Sequence, residues 1–379
     1  MRPDVLPQSG ARRRALARAR AAYRFLATSG HPEAGSVSES VSDFQLPAGA
    51  HAGLFETFRR LEHSIRPEAE LVQAIDALGA DGVFFVSRCS IGGPEPDVIK
   101  AARQLGLPTV MLVFSWDNLS SKAVLHEHPD HLLVWNETQV REAAAFHRIP
   151  PERVLVVGAP NFDPFFREVE GSAPVPRDGR RTILYLGSSK ASRDEPAVFT
   201  RWLDAVRSSD DPLLRDAHVV VRPHPGGGGD VWKTWTPPPD AQLSIELPGS
   251  SERLTLAQSL LRADAVVALS TTAEIEAAIA GRPVVTFRAG PEAPAQEGAL
   301  HFHYLLEQRG GFVIDSPDLE SHAANLARVL HGDYDPEALR GFVERFVRPA
   351  GLERPVAPIV ASAVLELVAE GAPETVPAR

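Results

Sequence analysis

The chain is predicted to be an α/β protein made of two doubly wound parallel sheets, and three observations predict it. Short apolar runs alternate with amphipathic helical stretches from residue 83 onward, the pattern of βαβ units. A Pro- and Gly-rich stretch at 170–181, EGSAPVPRDGRR, interrupts the alternation, which then starts again. Polar motifs stand where the apolar runs stop, and in parallel sheets ligands bind at the carboxyl ends of strands. The expected architecture is two Rossmann-like domains facing a cleft, 1–172 and 180–345, with a helical segment, 346–379, packing back across them.

Bulk properties agree. A length of 379 residues suits two domains of ordinary size. The 44% hydrophobic and 23% charged residues suit a soluble globular chain. A net charge of -10 disfavours nucleic acid as a partner. The one cysteine, Cys89, cannot form an internal disulfide, and no Cys/His group has zinc-site spacing, so no metal is expected. These features fit a reducing cytoplasm. No apolar run has membrane-span length, and no signal peptide is expected.

The first 80 residues show no strand pattern. Residues 1–24 carry seven arginines and one acid, Asp4, in a stretch of high helix propensity. Its apolar face is mostly alanine, which favours a solvated helix over a membrane-surface one, leaving at most weak peripheral contact with the inner face of a membrane. Residues 53–65 and 67–80 read as helices. Apolar runs at 82–87, 108–115, 131–136 and 153–160 read as strands, with helices at 97–106 and 137–149. The second half repeats the logic with strands at 182–189, 217–225, 264–270, 282–287 and 310–315. Its helices fall at 195–208, 254–263, 272–281 and 316–332, and a last helix covers 355–371.

Three strand ends of the second half carry the candidate chemistry: GSSK, RPHP and STTAEIE. Ser270, Thr271 and Thr272 open a helix, where hydroxyls and unpaired N–H groups favour an anion. Glu276 lies about one turn further on and can accept hydrogen bonds from a ribose diol. Arg222 can fork onto a diphosphate and His224 can donate to a phosphate oxygen. The four glycines at 226–229 have two readings, close backbone approach to a ligand or a mobile loop. Ser188 and Lys190 are further phosphate contacts, and Arg288 follows another strand.

The stretch LSTTAEIEAAIAGRPVV, 269–285, resembles the donor site of GT-B glycosyltransferases and their relatives, the UDP-N-acetylglucosamine 2-epimerases and CDP-glycerol glycerophosphotransferases. Glu276 matches the ribose-binding acid of that pattern. Thr271-Thr272 is similar to the double serine of the CDP-glycerol and polysialyltransferase groups. RPHP resembles their His-Pro motif, whose histidine contacts nucleotide phosphates. Arg288 resembles an arginine of the epimerases, with Glu292 following. The first half resembles bacterial glycosyltransferase-like proteins through Ser-Trp-Asp-Asn-Leu at 115–119, Val-Trp-Asn-Glu at 134–137 and Gly-Ala-Pro-x-x-Asp at 158–163. One departure stands out: GT-B chains usually open on a strand and a glycine-rich turn, and here neither is seen.

The resemblance implies a nucleotide-sugar donor, which is a substrate, so no cofactor is expected. It implies a glycan, lipid-linked or small-molecule acceptor. A transferase also needs a base for the acceptor hydroxyl. Asp117 is first choice, with His224 as its partner on the leaving-group side and with Asp163, Glu137 and His126 in reserve. Trp116 and Asn118 would hold the acceptor, and Arg88 would line its side. Asp117 and Trp116 can equally be a turn cap and a core residue. The Asp-Tyr-Asp at 333–335 reads as a turn. The alternatives are a polyol-phosphate transferase, a nucleotide-sugar 2-epimerase and a non-catalytic binding module.

Overall fold

The computed structural model describes residues 50–371, apart from 91–92, 123, 174–178, 189–194, 250–253 and 290–299. The arginine-rich stretch, Lys190 and Glu292 lie outside the described residues. By contacts the chain forms two compact units. One is drawn from Met1–Asn161 with Phe346–Arg379, the other from Phe162–Arg345.

In the first unit the elements are α1 (Ala50–Ser64), α2 (Ala69–Asp76), β1 (Val83–Ser87), α3 (Glu95–Gln104), β2 (Thr109–Val113), α4 (Asn118–Ser121), β3 (His131–Val134), α5 (Glu137–His147) and β4 (Val154–Val156). The strands form one parallel sheet in the order β1-β2-β3-β4. Parallel pairing buries the central strands on both faces, which is why TVMLV is an unbroken apolar run. One face sets Met111, Val113, Leu132 and Val134 against Leu119, Ala143 and Ile149. The other sets Val110, Leu112 and Leu133 against the C-terminal helix through Val356 and Val360. Asn136 caps α5 by accepting the Gln139 N–H at 3.1 Å, and Arg148 ends it at a left-handed φ of 55°.

The second unit contains α6 (Asp163–Gly171), β5 (Thr182–Leu186), α7 (Glu195–Arg207), α8 (Pro212–Arg215), β6 (His218–Arg222), β7 (Leu243–Ile245), α9 (Leu256–Arg262), β8 (Ala265–Ala268), α10 (Ala273–Ile279), β9 (Val284–Phe287), α11 (Leu300–His303), β10 (Val313–Ser316), α12 (Leu319–Leu330) and α13 (Pro336–Phe346). All six strands pair in parallel, in the order β10-β9-β8-β5-β6-β7. Counted from β5 this is the dinucleotide-fold order 3-2-1-4-5-6, and the chain reverses direction between β5 and β8. Strand β7 has only three half-buried edge residues, too few for a period, so no apolar run marks it.

Three organisational features depend on contacts between distant segments. Helix α6 falls before the Pro/Gly stretch but packs on α9, so by contacts it belongs to the second unit. The C-terminal helix α14 (Val356–Gly371) joins the first unit by covering one face of its sheet. The four glycines run into a 3-10 turn, Gly227–Lys233, whose Trp232 is 2% exposed. Trp232 packs edge-on to Phe199 at 5.5 Å and Trp235 at 5.2 Å, with Tyr185 at 6.2 Å. An anchored tryptophan thus follows directly on the glycines.

Trp232→Ala should cost about 3–5 kcal/mol of stability, as large aromatic truncations in cores do. Urea unfolding followed by far-UV circular dichroism checks this, and an unchanged midpoint would show that the indole is not an anchor.

Candidate functional site

The reversal between β5 and β8 is the ligand-binding place of this sheet type. Its walls come from neighbouring strand ends: Gly187 and Ser188 after β5, Arg222 to His224 after β6, Glu246 after β7 and Leu269 to Thr272 after β8. Gly187 is required there. A Cβ on it would lie 3.0 Å from the His224 nitrogen and 3.1 Å from the Pro223 Cα, so the two strand ends touch through backbone.

Two buried carboxyls close these ends. Ser188 is buried and donates its N–H to Glu195 Oε1 at 2.9 Å, while the Trp232 indole donates to Oε2 at 3.2 Å. The Ser270 and Thr271 N–H groups donate to the two oxygens of Glu274 at 3.2 and 3.3 Å. Ser270 takes a left-handed φ of 67° to allow this. The expected anion site at Ser270–Thr272 therefore differs in one respect: a carboxyl of the chain itself already receives two of its N–H groups. Thr272 is exposed at the helix start, with no side-chain cap hydrogen bond. Burial pushes Glu195 up to about 7 and Glu274 up to about 8, outweighing the donors that favour their ionised forms.

Arg222 Nη1 donates to Glu246 Oε2 at 2.5 Å, to the Leu254 carbonyl at 2.9 Å and to Ser259 Oγ at 3.1 Å. Ser259 donates to the same Glu246 oxygen at 2.8 Å. The guanidinium is thus held in one orientation by a carboxylate from the next strand. Glu276 stands close by: burial and then the nearby Glu168 of α6 raise its carboxyl to about 7, against the pull of Arg222. The structure therefore brings two of the expected donor-site residues, Arg222 and Glu276, within electrostatic reach of each other. His224 Nδ1 accepts the Gly226 N–H at 2.9 Å, so the neutral ring carries its proton on Nε2. Arg288 follows β9 and pairs with Asp315 of β10. Its fork is engaged by Asp315, at 2.7 Å from Nη2 and 3.0 Å from Nε, and it lies over the Phe302 ring.

In the first unit, Asp117 pairs with Lys122 at 3.1 Å and accepts from Asn118 and Ser121 at 3.1 and 3.2 Å. Asn118 is buried and accepts the Ser115 N–H at 2.9 Å, which holds the turn rather than a ligand. Trp116 is 3% exposed, a core position that leaves no open face for a sugar. Arg88 is exposed over the Phe114 ring, and Glu137 is exposed on the first turn of α5. Asp163 is buried on α6 and so counts with the second unit, not with the acceptor-side residues. His126 is buried beside Phe58. Cys89 is buried, and burial lifts its thiol to about 12, which removes it as a nucleophile at neutral pH. The Asp-Tyr-Asp segment is a turn: Asp333 pairs with Arg328, and Asp335 accepts the Glu337 and Ala338 N–H groups.

Sequence reasoning missed Glu195, Glu246, Glu274 and Gly187. Glu274 did carry a signal, since Thr271-x-x-Glu274 has capping-box spacing. Glu246 carried none, because its strand is too short to be seen.

No protein-family model matches the chain, and no curated protein matches it in sequence. Solved structures do. A putative UDP-N-acetylglucosamine 2-epimerase from Listeria monocytogenes aligns over 95% of each chain at 15% identity, with a TM-score of 0.52. A glycosyltransferase from Rickettsia africae covers 97% of this chain and 96% of its own at 12% identity and a TM-score of 0.49. The calicheamicin glycosyltransferase CalG4 covers 86% and 84% at 18% and 0.48. At such identities the likeness is one of fold. The chain has an α/β fold of two parallel-sheet domains, a fold likeness it shares with the Listeria protein.

Glu195 and Glu274 have folded pKa values near 7 and 8, above the ordinary 4.5. The folded state then holds their protons more tightly than the unfolded chain. Their contribution is fully present below pH 4.5 and lost as pH rises through 7–8. Unfolding free energy should fall between pH 5 and 8, and Glu274→Gln should flatten part of that slope. Urea midpoints across this range measure it, and an identical slope in the variant would refute the assignment.

Proposed function

We propose that the chain is a metal-independent glycosyltransferase that binds a nucleotide-sugar at the carboxyl ends of β5, β6 and β8. The observation that carries this reading is Glu276, a half-buried carboxyl that feels the field of Arg222, on the helix after β8 where the chain reverses across its second sheet. A ribose diol would donate to Glu276, and an ionised carboxylate accepts such bonds at about twice the strength of a neutral acceptor. His224, protonated on Nε2, would donate to the departing diphosphate. Arg222 is held in place by Glu246 and would supply the positive field beside it. Cationic side chains would then do the work that a metal does elsewhere.

In the transfer step Asp117 takes the proton of the acceptor hydroxyl. The hydroxyl oxygen bonds to the anomeric carbon as that carbon's bond to the diphosphate oxygen breaks, and the nucleoside diphosphate leaves with the bonding pair. Asp117 is held beside Lys122 at 3.1 Å. A single base implies inversion. The product would be a surface glycan or a natural-product glycoside made in the cytoplasm. No helix among the described residues is long and apolar enough to cross a membrane.

A second reading is a nucleotide-binding module without catalysis. It is favoured by the burial of Trp116 and by the pairing of Asp117 with Lys122. A panel of UDP-, GDP-, dTDP- and CMP-sugars and CDP-glycerol, run by thermal shift and then by turnover, separates the readings. Binding with neither transfer nor hydrolysis selects the module, and turnover of a UDP-N-acetylhexosamine alone selects an epimerase.

Glu276→Gln should weaken nucleotide binding at least tenfold, since hydrogen bonds to a charged group contribute about 1.5–3 kcal/mol. Wild-type affinity should rise from pH 6 to 8 as Glu276, near 7, loses its proton, and the variant should be flat. Calorimetric titration of both proteins measures this, and equal affinities at all pH values would sink the site.

A further inference from the structure

The first unit has a second cavity at the opposite ends of its strands. It encloses about 170 Å³. His126, Glu127 and His128 stand just before β3, Arg153 immediately before β4, and Arg103 near the end of α3, which leads into β2. Arg59 and His63 of α1 complete the lining. The lining positions next to β2, β3 and β4 are at amino ends of the sheet, whereas the expected acceptor-side residues Arg88, Trp116 and Glu137 follow carboxyl ends.

The charges in this cavity do not balance. Three guanidinium groups and three imidazoles face a single carboxylate, Glu127. Glu127 is 3% exposed and is held by His63 Nδ1 at 3.0 Å and Arg103 Nη1 at 2.8 Å. Arg103 also reaches the His128 carbonyl at 3.4 Å. Glu127 thus accounts for one cation and fixes its direction. Arg59 donates from Nε and Nη2 to the two oxygens of Glu56 at 3.1 and 3.2 Å, outside the lining, and Arg153 is exposed. The His128 ring is hydrogen-bonded to the backbone of His147, while its Nε2 is buried with no hydrogen-bond partner. A buried ring nitrogen left without a partner costs free energy that a ligand can recover. Burial is the first cause that lowers the His128 pKa, and the positive fields of Arg59 and Arg153 add to it. Both arginines line the same cavity as His128.

We propose that this cavity is a binding site for a small phosphate-class oxyanion, separate from the nucleotide site and independent of it. Size selects the class. About 170 Å³ corresponds to between five and six water volumes at ~30 Å³ each, enough for a phosphate group. A nucleotide needs a pocket in the range of about 300–1,000 Å³. Geometry selects it further. Positive charge and imidazole N–H groups lining the cavity from α1, α3 and two loops suit a compact anion with several oxygens. The planar carboxylate position is already filled by Glu127. The anion is either the free ion or the phosphate of a phosphomonoester.

Calorimetric titration of the full chain with inorganic phosphate and with glycerol phosphate, at ionic strength held constant with chloride, tests this. We expect saturable binding of at least one of them, weakened tenfold or more in Arg59→Ala/Arg153→Ala. Arg153→Lys should retain most of the affinity. Both arginines are exposed, so the variants should fold, and an unchanged thermal midpoint without ligand verifies it. Tighter binding of glycerol phosphate assigns the site to a phosphomonoester, and tighter binding of phosphate assigns it to the free ion. No binding of either, or equal binding in the double variant, overturns the proposal. Because Glu276→Gln leaves this cavity intact, it should not change phosphate affinity, which keeps the two sites distinguishable.

Discussion

Parallel strands leave backbone N–H groups unpaired where they end, and this chain satisfies them with side chains from the first turn of the next helix. The Cys89 N–H donates to Ser87 Oγ, which donates to Glu95 of α3. The Trp135 N–H donates to Gln139 of α5. The Ser188 N–H donates to Glu195 of α7, and the Ser270 and Thr271 N–H groups donate to Glu274 of α10. In all four cases the residue reaching back is buried. A carboxyl removed from water costs several kcal/mol unless it is hydrogen-bonded or protonated, and both routes are used here. The strand-to-helix connections in both units rest on this closure.

The same closure shapes what the site can bind. In many nucleotide folds the N–H groups after a strand meet a phosphate, whereas here Glu274 holds two of them. Glu274 is raised to about 8, so its protonation state at neutral pH is not that of a free anion, and it does not repel an approaching phosphate as a carboxylate would. Cations are handled in a parallel way. Arg222 is set by Glu246 and Arg288 by Asp315, each a strand neighbour across the sheet. Arg222 keeps Glu276 within its field, while Arg288 closes a structural fork. Two arginines that look equivalent as residues after a strand therefore have different work.

Much of this was legible in residue patterns. The strand runs 108–115, 131–136, 182–189, 217–225, 264–270 and 282–287 all contain strands, because buried parallel strands must be continuously apolar. Arg222 was singled out by its position at a strand end and Glu276 by its place one turn into the following helix, and the field of Arg222 acts on Glu276. Trp116 was not legible, since a tryptophan after a strand can equally stack on a sugar or enter the core. Residues 163–171 were counted with the first domain by their place before a linker, but as helix α6 their partner α9 comes some ninety positions later, and local composition carries no information about that contact. The glycine run was ambiguous for the same reason: its neighbour Trp232 is anchored by Phe199 and Glu195, which are distant in sequence.

The sequence by itself determined the strand and helix alternation, the parallel sheets and the strand ends that carry polar groups. These follow from periodicity, run length and turn chemistry, which act over a few residues. Only the tertiary structure decided which polar groups are already paired. It set Glu274 on the Ser270 and Thr271 N–H groups, Glu246 on Arg222 and Asp315 on Arg288, and it gathered Arg59, Arg103, Arg153 and His128 around one cavity. Hydrogen bonds and charge pairs are short-ranged in space but unrestricted in sequence separation. Their partners are therefore chosen by packing, after the local elements exist.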